Sequence, residues 1–285
     1  MPLEYVIKPR LIDWKEYISY SEKRTLSVSI VTYKTDPDLL NRCLSNLINA
    51  IERCQDSLEL SMIWIIENDY NRTEIQEQYL NHKRIKILAS KKNLGFGRAH
   101  NTALFREESC YHLFLNPDAF LSEDFFVKAQ EVFFENKETA LVGPKGVNEK
   151  REDLFLAKAY PRLCILLARG LNNRFLNKVL KRGLEKYTYR NKKNYLFFPV
   201  QHLSGCCLLG RTEALKRIKG FDEKFFLYFE DFDLCRRIAQ HGKVIYFTST
   251  SIFHGGGNVG RKNIWHKLLF LSSAFKFYQR YGWRM

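Results

Sequence analysis

The stretch LSVSIVTYKTDPDLLNRCLSNLINAIERCQDSLELSMIWIIEND, residues 26–69, sets the fold class of this chain. It begins with LSVSIVTY, a compact β-branched run that predicts a buried strand. Asp36 and Pro37 then supply a helix N-cap and a proline for the first helical position. Behind them apolar residues recur at helical spacing on one stripe: Leu39, Leu40, Cys43, Leu44, Leu47, Ile48 and Ile51. The apolar run LSMIWIIE predicts the next strand, so the stretch is a strand–helix–strand unit.

Strand and helix signals go on alternating beyond this unit. The further predicted strands and helices lie at residues 85–89 (strand), 97–108 (helix), 111–116 (strand), 122–136 (helix) and 140–142 (strand). Strands separated by helices of this length predict a mostly parallel sheet with right-handed crossovers. The chain is therefore expected to be an α/β protein.

The second half of the chain is less regular. Residues 145–197 form a basic, aromatic insertion with one predicted helix at 164–184. Regular signals return as a strand at 203–210, a helix at 230–241 that ends at Gly242, a strand at 243–248, a loop at 255–257 and an amphipathic helix at 264–281.

These patterns divide the chain into three parts. Residues 1–25 form an N-terminal extension, residues 26–260 one domain, and residues 261–285 a basic aromatic C-terminal helix. The domain has a first half at 26–144 and a second half at 145–260, which contains the basic insertion.

The composition excludes several classes of protein. Of the 285 residues, 45% are hydrophobic and 14% aromatic, which is enough for a sizeable core and excludes wholesale disorder. No apolar run approaches the ~18–20 residues of a membrane span, and the charged N-terminus lacks the centre of a signal peptide. The seven cysteines show no CxxC spacing, so reduced, mostly buried thiols are expected. A soluble cytoplasmic protein is the resulting expectation.

The positive charge is concentrated in two segments. The chain carries 46 Lys and Arg against 31 Asp and Glu, a formal net charge of +15. Residues 145–197 hold 14 basic and 4 acidic residues, and residues 261–285 hold 6 basic and none acidic. Such a field attracts nucleic acid, anionic lipid headgroups or phosphorylated substrates, and charge alone does not choose among them.

Polar side chains follow three predicted strands at their carboxyl ends. Thr32 and Tyr33 end the first strand, Glu67 ends the second, and Asn116 and Asp118 follow the strand at 111–116. In an open parallel sheet, ligands bind beyond these ends, near the point where strand order reverses. Carboxylates and amides there suit ribose hydroxyls and a hard divalent cation. The alternative is that Asn and Asp simply form turns.

Three further features suit chemistry. The loop NLGFGR, residues 93–98, precedes a helix, and its glycines would let the backbone approach a phosphate with Arg98 as counter-charge. The run FEDFDL, residues 229–234, places three carboxylates at a helix start, where they either complement the helix dipole or supply a general base with a raised pKa. His254 lies beside a glycine-rich loop, as a structural residue or a metal ligand.

In this order, the motifs resemble family-2 glycosyltransferases of the GT-A fold. Bacterial rhamnosyltransferases of surface polysaccharide synthesis, such as O-antigen or capsule, are the most similar. The matching set is Thr32-Tyr33-Lys34, Glu67-Asn68, NLGFGRAHN (93–101), FLNPDAF (114–120), SGCCLLGRTEALKRIKGFDEKFF (204–226), YFEDFDLCRR (228–237) and His254. The resemblance covers almost the whole chain. It implies a Rossmann-like, mostly parallel sheet flanked by helices, with the basic insertion and the C-terminal amphipathic helix as additions.

The resemblance also implies a donor site and a metal site. The residues that would bind the nucleotide sugar are Thr32, Tyr33, Glu67, Asn93, Arg98 and Asn116. Asp118 and His254 would hold a divalent cation, Mg²⁺ or Mn²⁺, together with diphosphate oxygens and water. The family's metal-binding Asp-x-Asp has Asn116 in its first position here, so that Asp118 is the retained acid.

Asp231 matches the family's catalytic base, and Glu230 and Asp233 would orient the acceptor or Asp231. The implied reaction is a single in-line displacement, which inverts the anomeric configuration. The expected donor is dTDP-L-rhamnose, with a UDP-sugar (galactofuranose or N-acetylhexosamine) as the alternative. The expected acceptor is a glycan or a polyprenyl-diphosphate-linked sugar at the inner face of the cytoplasmic membrane.

Two alternatives concern the basic segments. The C-terminal helix mixes aromatic and basic residues, which suits an interfacial helix on an anionic membrane, but an ordinary packing helix has the same composition. A basic nucleic-acid-binding protein is the alternative from a different class. The segments lack a recognised reader motif, so no nucleic-acid partner is expected.

Overall fold

The computed structural model of the chain describes residues 23–69, 73–171, 178–192, 194–255 and 264–284. The N-terminal extension predicted at residues 1–25 lies almost entirely outside the described residues. The same holds for two of the three glycines predicted to form a loop at 255–257.

Strands and helices alternate as expected. The strands are β1 (Arg24–Thr32), β2 (Leu58–Glu67), β3 (Ile85–Ala89), β4 (Tyr111–Leu115), β5 (Ala119–Leu121), β6 (Thr139–Val147), β7 (Ala157–Lys158), β8 (Phe197–Pro199), β9 (His202–Leu203), β10 (Cys207–Arg211) and β11 (Lys243–His254). The helices are α1 (Pro37–Glu52), α2 (Glu77–Leu80), α3 (Phe96–Leu104), α4 (Phe125–Glu135), α5 (Leu163–Leu171), α6 (Lys181–Tyr187), α7 (Thr212–Arg217), α8 (Glu230–Ile238) and α9 (Ile264–Tyr281).

One large sheet organises the molecule. Its strand order is β3-β2-β1-β4-β10-β6-β11-β5, and β8 pairs with β11. The pairs β1–β2, β2–β3, β1–β4 and β6–β11 are parallel, which confirms the predicted α/β fold with a mostly parallel sheet. The strand order reverses between β1 and β4, because β2 and β3 lie on one side of β1 and β4 on the other. The carboxyl ends of β1, β2 and β4 therefore share one edge of the sheet.

The first helix forms for the reasons that its sequence gives. The Asp36 carboxylate accepts a hydrogen bond from the backbone N–H of Asp38 at 2.9 Å, and Pro37 occupies the start of α1. The apolar stripe then packs on the sheet, where Leu40, Leu44 and Leu47 are fully buried. Burial of this kind contributes about 1.5–3 kcal/mol for each leucine.

Three predicted elements differ from the structure. The strand expected at residues 203–210 is divided into β9 and β10 by a turn at Gly205 and Cys206, and β9 pairs with β7 in a separate small sheet. A single helix at residues 164–184 is wrong, because the chain makes a turn at Leu180 before α6 begins. The last strand was expected to end at residue 248, but β11 continues to His254. Its register on β6 shifts between Phe247 and Ser251, after which β11 pairs with β5. The polar run Thr248–Ser251 therefore marks an irregularity inside a strand, although its composition is that of a turn.

A buried polar network lies between β1, β4 and α3. The two ring nitrogens of His112 lie 2.7 Å from Ser27 Oγ and 2.9 Å from Ser29 Oγ. Ser29 Oγ is also 2.7 Å from His100 Nδ1. Both histidines are fully buried, and burial lowers the pKa of His112 to about 3 and the pKa of His100 well below its usual value. Both rings are therefore neutral in the folded protein.

Because these histidines are buried and neutral, we expect the folded protein to lose stability in mild acid. Burial also lowers the pKa of His202 to about 3, so three histidines stay neutral in the folded chain but take up protons near pH 6.5 when it unfolds. The unfolded state then binds more protons below pH 6.5, and the stability that is present above this pH is lost as the pH falls. Between pH 6.5 and 5.5 each of the three histidines should lower the free energy of unfolding by about 1 kcal/mol, and the raised pKa values of Asp231 and His254 should offset a smaller part of this loss. Urea titration measures the net decrease.

The variant His241→Gln is the matched control, because His241 is exposed and its hydration changes little on unfolding. It should show the same loss of stability as the original chain. An unfolding free energy that stays constant between pH 7 and 5.5 would contradict the neutral, buried state of the three rings.

Candidate active site

The strand ends that the sequence singles out meet at one edge of the sheet. Thr32 at the end of β1 lies opposite Glu67 at the end of β2 in the parallel register. The backbone N–H of Asn116, just after β4, donates to the carbonyl of Cys206 at 2.9 Å and so joins β4 to the start of β10. The structure therefore brings Thr32, Glu67 and Asn116 to a common edge, at the reversal of strand order where ligands bind in such sheets.

The end of β1 is fixed to the end of β2. Thr32 is fully buried, and its carbonyl accepts a hydrogen bond from the N–H of Asn68 at 2.9 Å. The N–H of Lys34, a residue with φ of 50°, donates to Asp69 Oδ2 at 2.5 Å. Tyr33, between these anchors, is 50% exposed. Its ring offers a flat face of the kind on which nucleobases stack.

The loop before α3 is shaped by two asparagines. Asn68 accepts from the N–H of Leu94 at 2.7 Å and donates to Asn93 Oδ1 at 2.9 Å. Asn93 Oδ1 also accepts from the N–H of Gly95 at 2.9 Å. Asn68 thus fixes the loop to the end of β2. It is not among the residues that the sequence singles out for binding, although it stands directly beside Glu67.

The glycines of this loop allow close packing. Gly95 has φ of 81°, and a Cβ there would lie 2.4 Å from the carbonyl oxygen of Phe226. A Cβ on Gly97 would lie 2.6 Å from Phe221 Cβ. Arg98 is half exposed and pairs with Glu223 at 3.2 Å. Two glycines and Arg98 thus hold α3 against residues 221–226, and a contact of this loop with a phosphate stays a prediction.

Asp118 and His254, although 136 residues apart, are neighbours. Strand β5 begins directly after Asp118 and pairs antiparallel with β11, so that Ala119 lies opposite His254. Asp118 Oδ1 and its carbonyl oxygen lie 3.3 and 3.4 Å from His254 Nδ1. Burial by itself lowers the pKa of His254, but the hydrogen bonds and charge of Asp118 raise the pKa above its ordinary value.

The donor set of this pair fits a divalent cation in part. A carboxylate oxygen and an imidazole nitrogen are both ordinary ligands of Mn²⁺ and acceptable ones for Mg²⁺. Among the described residues there is no group of three His, Cys, Asp or Glu side chains that could hold a metal. Asp118 and His254 would therefore supply two positions, and a bound ligand and water would have to fill the others.

Asp231 lies in the first turn of α8 with its carboxylate held by backbone. Oδ2 accepts from the N–H of Gly205 at 3.0 Å, and Oδ1 accepts from the N–H of Phe232 at 2.8 Å. Burial raises the pKa of Asp231 to about 6, against the lowering effect of these hydrogen bonds. A carboxyl group with such a pKa is ionised at neutral pH and is basic enough to take a proton during a reaction.

A strained turn presents Asp231. Tyr228 and Phe229 have φ of 70° and 64°, two consecutive left-handed residues that are not glycine. Each costs about 1–2 kcal/mol, so the surrounding structure must hold them in place. Helix α9 does so: the ring of Phe229 packs 5.3 Å from that of Phe277, and Ser273 Oγ donates to the carbonyl of Leu227 at 2.8 Å. Strain of this kind clusters at functional sites.

The other two carboxylates of the run have different surroundings. Glu230 is buried beside Asp231. Asp233 is fully buried and accepts hydrogen bonds from Arg237 Nε at 2.6 Å, Arg280 Nη1 at 2.6 Å and the Tyr281 hydroxyl at 2.7 Å. Asp233 therefore joins α9 to α8, the helix that also carries Asp231.

Asp118 and Asp231 both lie close enough to Cys206 for their charges to act on its thiol. Burial, together with the charges of Asp118 and Asp231, raises the pKa of the Cys206 thiol to about 12. Asn116 is bonded to the same residue through its backbone. The start of β10 thus connects the strand ends, the pair Asp118–His254 and Asp231, which form one candidate active site.

A family model and two curated relatives match the sequence of this chain. The family model Glycosyl transferase family 2 matches residues 27–219, more than half of the chain. The chain is 44% identical over 57 residues to N-acetylglucosaminyl-diphospho-decaprenol L-rhamnosyltransferase of Mycobacterium tuberculosis, which is 20% of this chain and 19% of that protein. It is 26% identical over 171 residues to rhamnosyltransferase WbbL of Escherichia coli K12, which is 54% of this chain and 57% of that protein. The chain thus spans from about a fifth to just over half of these relatives.

Solved structures share the fold at low sequence identity. Residues 1–349 of S. aureus TarS superpose with a TM-score of 0.54 at 15% identity, over 81% of this chain and 60% of that one. GalNAc-T7, crystallised with UDP, GalNAc and Mn²⁺, gives a TM-score of 0.57 at 13% identity, over 82% of this chain and 44% of that one. These similarities, with the sheet described above, identify the GT-A fold.

Proposed function

Because the chain belongs to glycosyl transferase family 2, we propose that it is an inverting glycosyltransferase acting from a nucleoside-diphosphate sugar. The observation that carries this proposal is Asp231, a half-buried carboxyl group that a strained turn presents beside the strand ends, with a pKa raised to about 6. A single base next to a donor site suits a one-step displacement, in which configuration inverts.

In the proposed reaction, one proton is transferred, one glycosidic bond forms and one bond to the diphosphate breaks. Asp231 takes the proton from an acceptor hydroxyl while that oxygen attacks the anomeric carbon of the donor. The bond from this carbon to the diphosphate breaks on the opposite face, and the nucleoside diphosphate leaves. With a pKa near 6, Asp231 is ionised at neutral pH and is still a stronger base than an ordinary carboxylate. General base catalysis is most efficient when both conditions are met.

The donor is proposed to bind along the carboxyl edge of the sheet. Thr32, Tyr33 and Glu67 would contact the base and ribose, with Tyr33 offering its exposed ring. Asn93 and Arg98 would border the site, and Asn116 would contact the ribose or a water. The proposed donor is dTDP-L-rhamnose, because both relatives described above carry the name rhamnosyltransferase.

A divalent cation, Mg²⁺ or Mn²⁺, is proposed to bind at Asp118 and His254, which lie 3.3 Å apart. Such a cation neutralises charge on a departing diphosphate. Glu230 and Asp233 are proposed as positioning residues. Glu230 lies next to the base, and Asp233 fixes the helix that carries it.

The acceptor is proposed to be a glycan carried on a polyprenyl diphosphate, for bacterial surface polysaccharide synthesis. The name of the mycobacterial relative describes an acceptor of this kind. An enzyme acting on such an acceptor works at a membrane, here the inner face of the cytoplasmic membrane.

A thermal-shift panel tests the proposed donor site. The full chain is heated with dTDP, UDP, GDP or CDP, each with Mg²⁺, Mn²⁺ or EDTA. A ligand at a hundred times its dissociation constant stabilises the folded state by ~2.7 kcal/mol, which raises the melting temperature visibly. We expect the largest shift with dTDP and a divalent cation, and a loss of this cation dependence in Asp118→Asn.

Each outcome has a clear consequence. A cation-dependent shift with UDP instead of dTDP would overturn the rhamnose donor and keep the glycosyltransferase. An equal shift in EDTA would overturn the cation at Asp118 and His254. The absence of any nucleotide shift, including in EDTA, would overturn the donor site as a whole.

A further inference from the structure

Helix α9 presents two apolar faces. The inner face packs on the protein through Ser273, Ala274, Phe277 and Tyr278, all buried. The outer face consists of five apolar residues that are each more than half exposed: Ile264 (76%), Trp265 (60%), Leu268 (54%), Leu271 (62%) and Phe275 (52%). A soluble surface helix has one apolar stripe, so the second stripe requires an explanation.

The outer face is one continuous surface. Four of its residues follow one another by four, three and four positions, which places them in a single row along the helix. Trp283, beyond the end of α9, is 55% exposed and lies with its ring 5.8 Å from that of Phe275. The row therefore runs along the whole helix, a length of about 27 Å for 18 residues.

Basic side chains border this row on both sides. At 100° per residue, Lys267 and Lys276 fall about a quarter turn to either side of its centre, and both are exposed. Residues 264–284 contain Lys267, Lys276, Arg280 and Arg284 and no acidic residue. Lys276 Nζ donates to the carbonyl of Lys224 at 2.9 Å, so its charge lies at the edge of the row, where anionic headgroups would meet it while the apolar row lies deeper.

A hollow of about 700 Å³ lies beside the outer face. Its lining is Lys224, Phe225, Lys276, Gln279 and Arg280, three of them basic. Lys276 and Gln279 belong to the side of α9 that adjoins the outer face. Arg280 is paired with Asp222 and Asp233, so Lys224 and Lys276 are the residues through which the hollow adds positive charge at this surface.

From these features we propose that the outer face of α9 lies in the headgroup region of an anionic lipid bilayer and holds the protein on the membrane surface. None of the helices in the described parts of the chain is long and apolar enough to cross a membrane, so the contact is peripheral. A second copy of the chain fits the surface less well, because two outer faces would bring the lysines of one against those of the other.

The proposal goes beyond the proposed function and links to it through α9. The inner face of the same helix holds the turn at Tyr228 and Phe229 and bonds to Asp233. A bilayer against the outer face would therefore lie at a fixed position relative to Asp231. This arrangement gives the site a constant distance to acceptors that sit in the membrane.

Vesicle sedimentation tests the docking surface. The full chain is mixed with vesicles of 30% phosphatidylglycerol in phosphatidylcholine, or of phosphatidylcholine alone. We expect pelleting with the anionic vesicles, weaker pelleting at high salt, and little with neutral vesicles. The double variant Leu268→Gln/Leu271→Gln should weaken binding by about tenfold or more, because two leucines lose their transfer into the interface.

The matched control is Leu80→Gln/Phe134→Gln, which changes two other exposed apolar residues and should leave pelleting unchanged. Equal loss in both double variants, or no pelleting of the original chain, would overturn the proposal. So would a dimer that forms without vesicles and is abolished by the changes in α9. The nucleotide thermal shift of the α9 variant should match the original, so that failure of docking is distinguished from failure of the donor site.

Discussion

The variant Asp231→Asn is expected to lose turnover by about 10²–10⁴-fold while its affinity for the nucleotide stays nearly unchanged. The amide keeps the size of the carboxyl group but cannot accept the proton of an acceptor hydroxyl. The donor contacts proposed for Thr32 and Tyr33 do not involve this side chain. Steady-state transfer measured at pH 7.5, together with the nucleotide thermal shift, separates the two effects.

The same variant should be more stable than the original chain. Burial raises the pKa of Asp231 to about 6, so the ionised carboxylate is disfavoured in the folded state above this pH. The removal of this penalty should stabilise the folded state, and the weaker hydrogen bonds of the amide to Gly205 and Phe232 should offset part of the gain. We therefore expect the free energy of unfolding at pH 8 to rise by about 1–2 kcal/mol in urea titrations.

The pH profile provides a third measurement on Asp231. Turnover of the original chain should rise with pH through about 6 and then level off, because only the ionised carboxylate accepts a proton. Asp56→Asn, a surface change of the same chemical kind, serves as the control and should keep full turnover. Near-normal turnover of Asp231→Asn would assign the proton transfer to another group.

Local patterns in the sequence predict the first half of the fold well. The strand at β1, the cap at Asp36 and the stripe of α1 depend on residues within a few positions of one another, and the structure agrees with them. Strand direction is not such a local property. The antiparallel β10 lies between β4 and β6, and the alternation of strands and helices does not reveal this.

The candidate site likewise combines features that the local sequence predicts with contacts that it does not predict. Asp118, His254 and Asp231 are recognisable from motifs, but the closeness of Asp118 to His254 depends on β5, a three-residue strand that the sequence does not predict. Gly95 and Gly97 have the composition of a phosphate loop, yet their close neighbours are Phe226 and Phe221, more than 120 residues away. Contacts between distant segments decide both roles.

Asp233 also depends on a distant segment, and its replacement is the prediction with the largest expected effect on stability. In Asp233→Asn, the partly exposed guanidinium groups of Arg237 and Arg280 lose the buried negative charge that both of them contact at 2.6 Å. Removing one member of a buried ion pair costs about 3–5 kcal/mol, because the remaining charge is left uncompensated. We expect a loss near the lower end in urea titrations, because Arg280 keeps its second partner, Asp222, at 2.7 Å.

A double-mutant cycle with Tyr281→Phe connects this loss to α9. The Tyr281 hydroxyl donates to Asp233 at 2.7 Å, so the two changes should be coupled, and the double variant should be less destabilised than the sum of the single ones. Turnover of Asp233→Asn should also fall, because the strained turn before Asp231 loses part of its support, while the midpoint of the pH profile stays near 6. Full stability of Asp233→Asn would contradict the role of Asp233 as the link between α8 and α9. If the expected results are obtained, the charges of Asp231 and Asp233 have opposite effects on stability. The charge of Asp231 serves the reaction and lowers stability, and the charge of Asp233 stabilises the helix that carries Asp231.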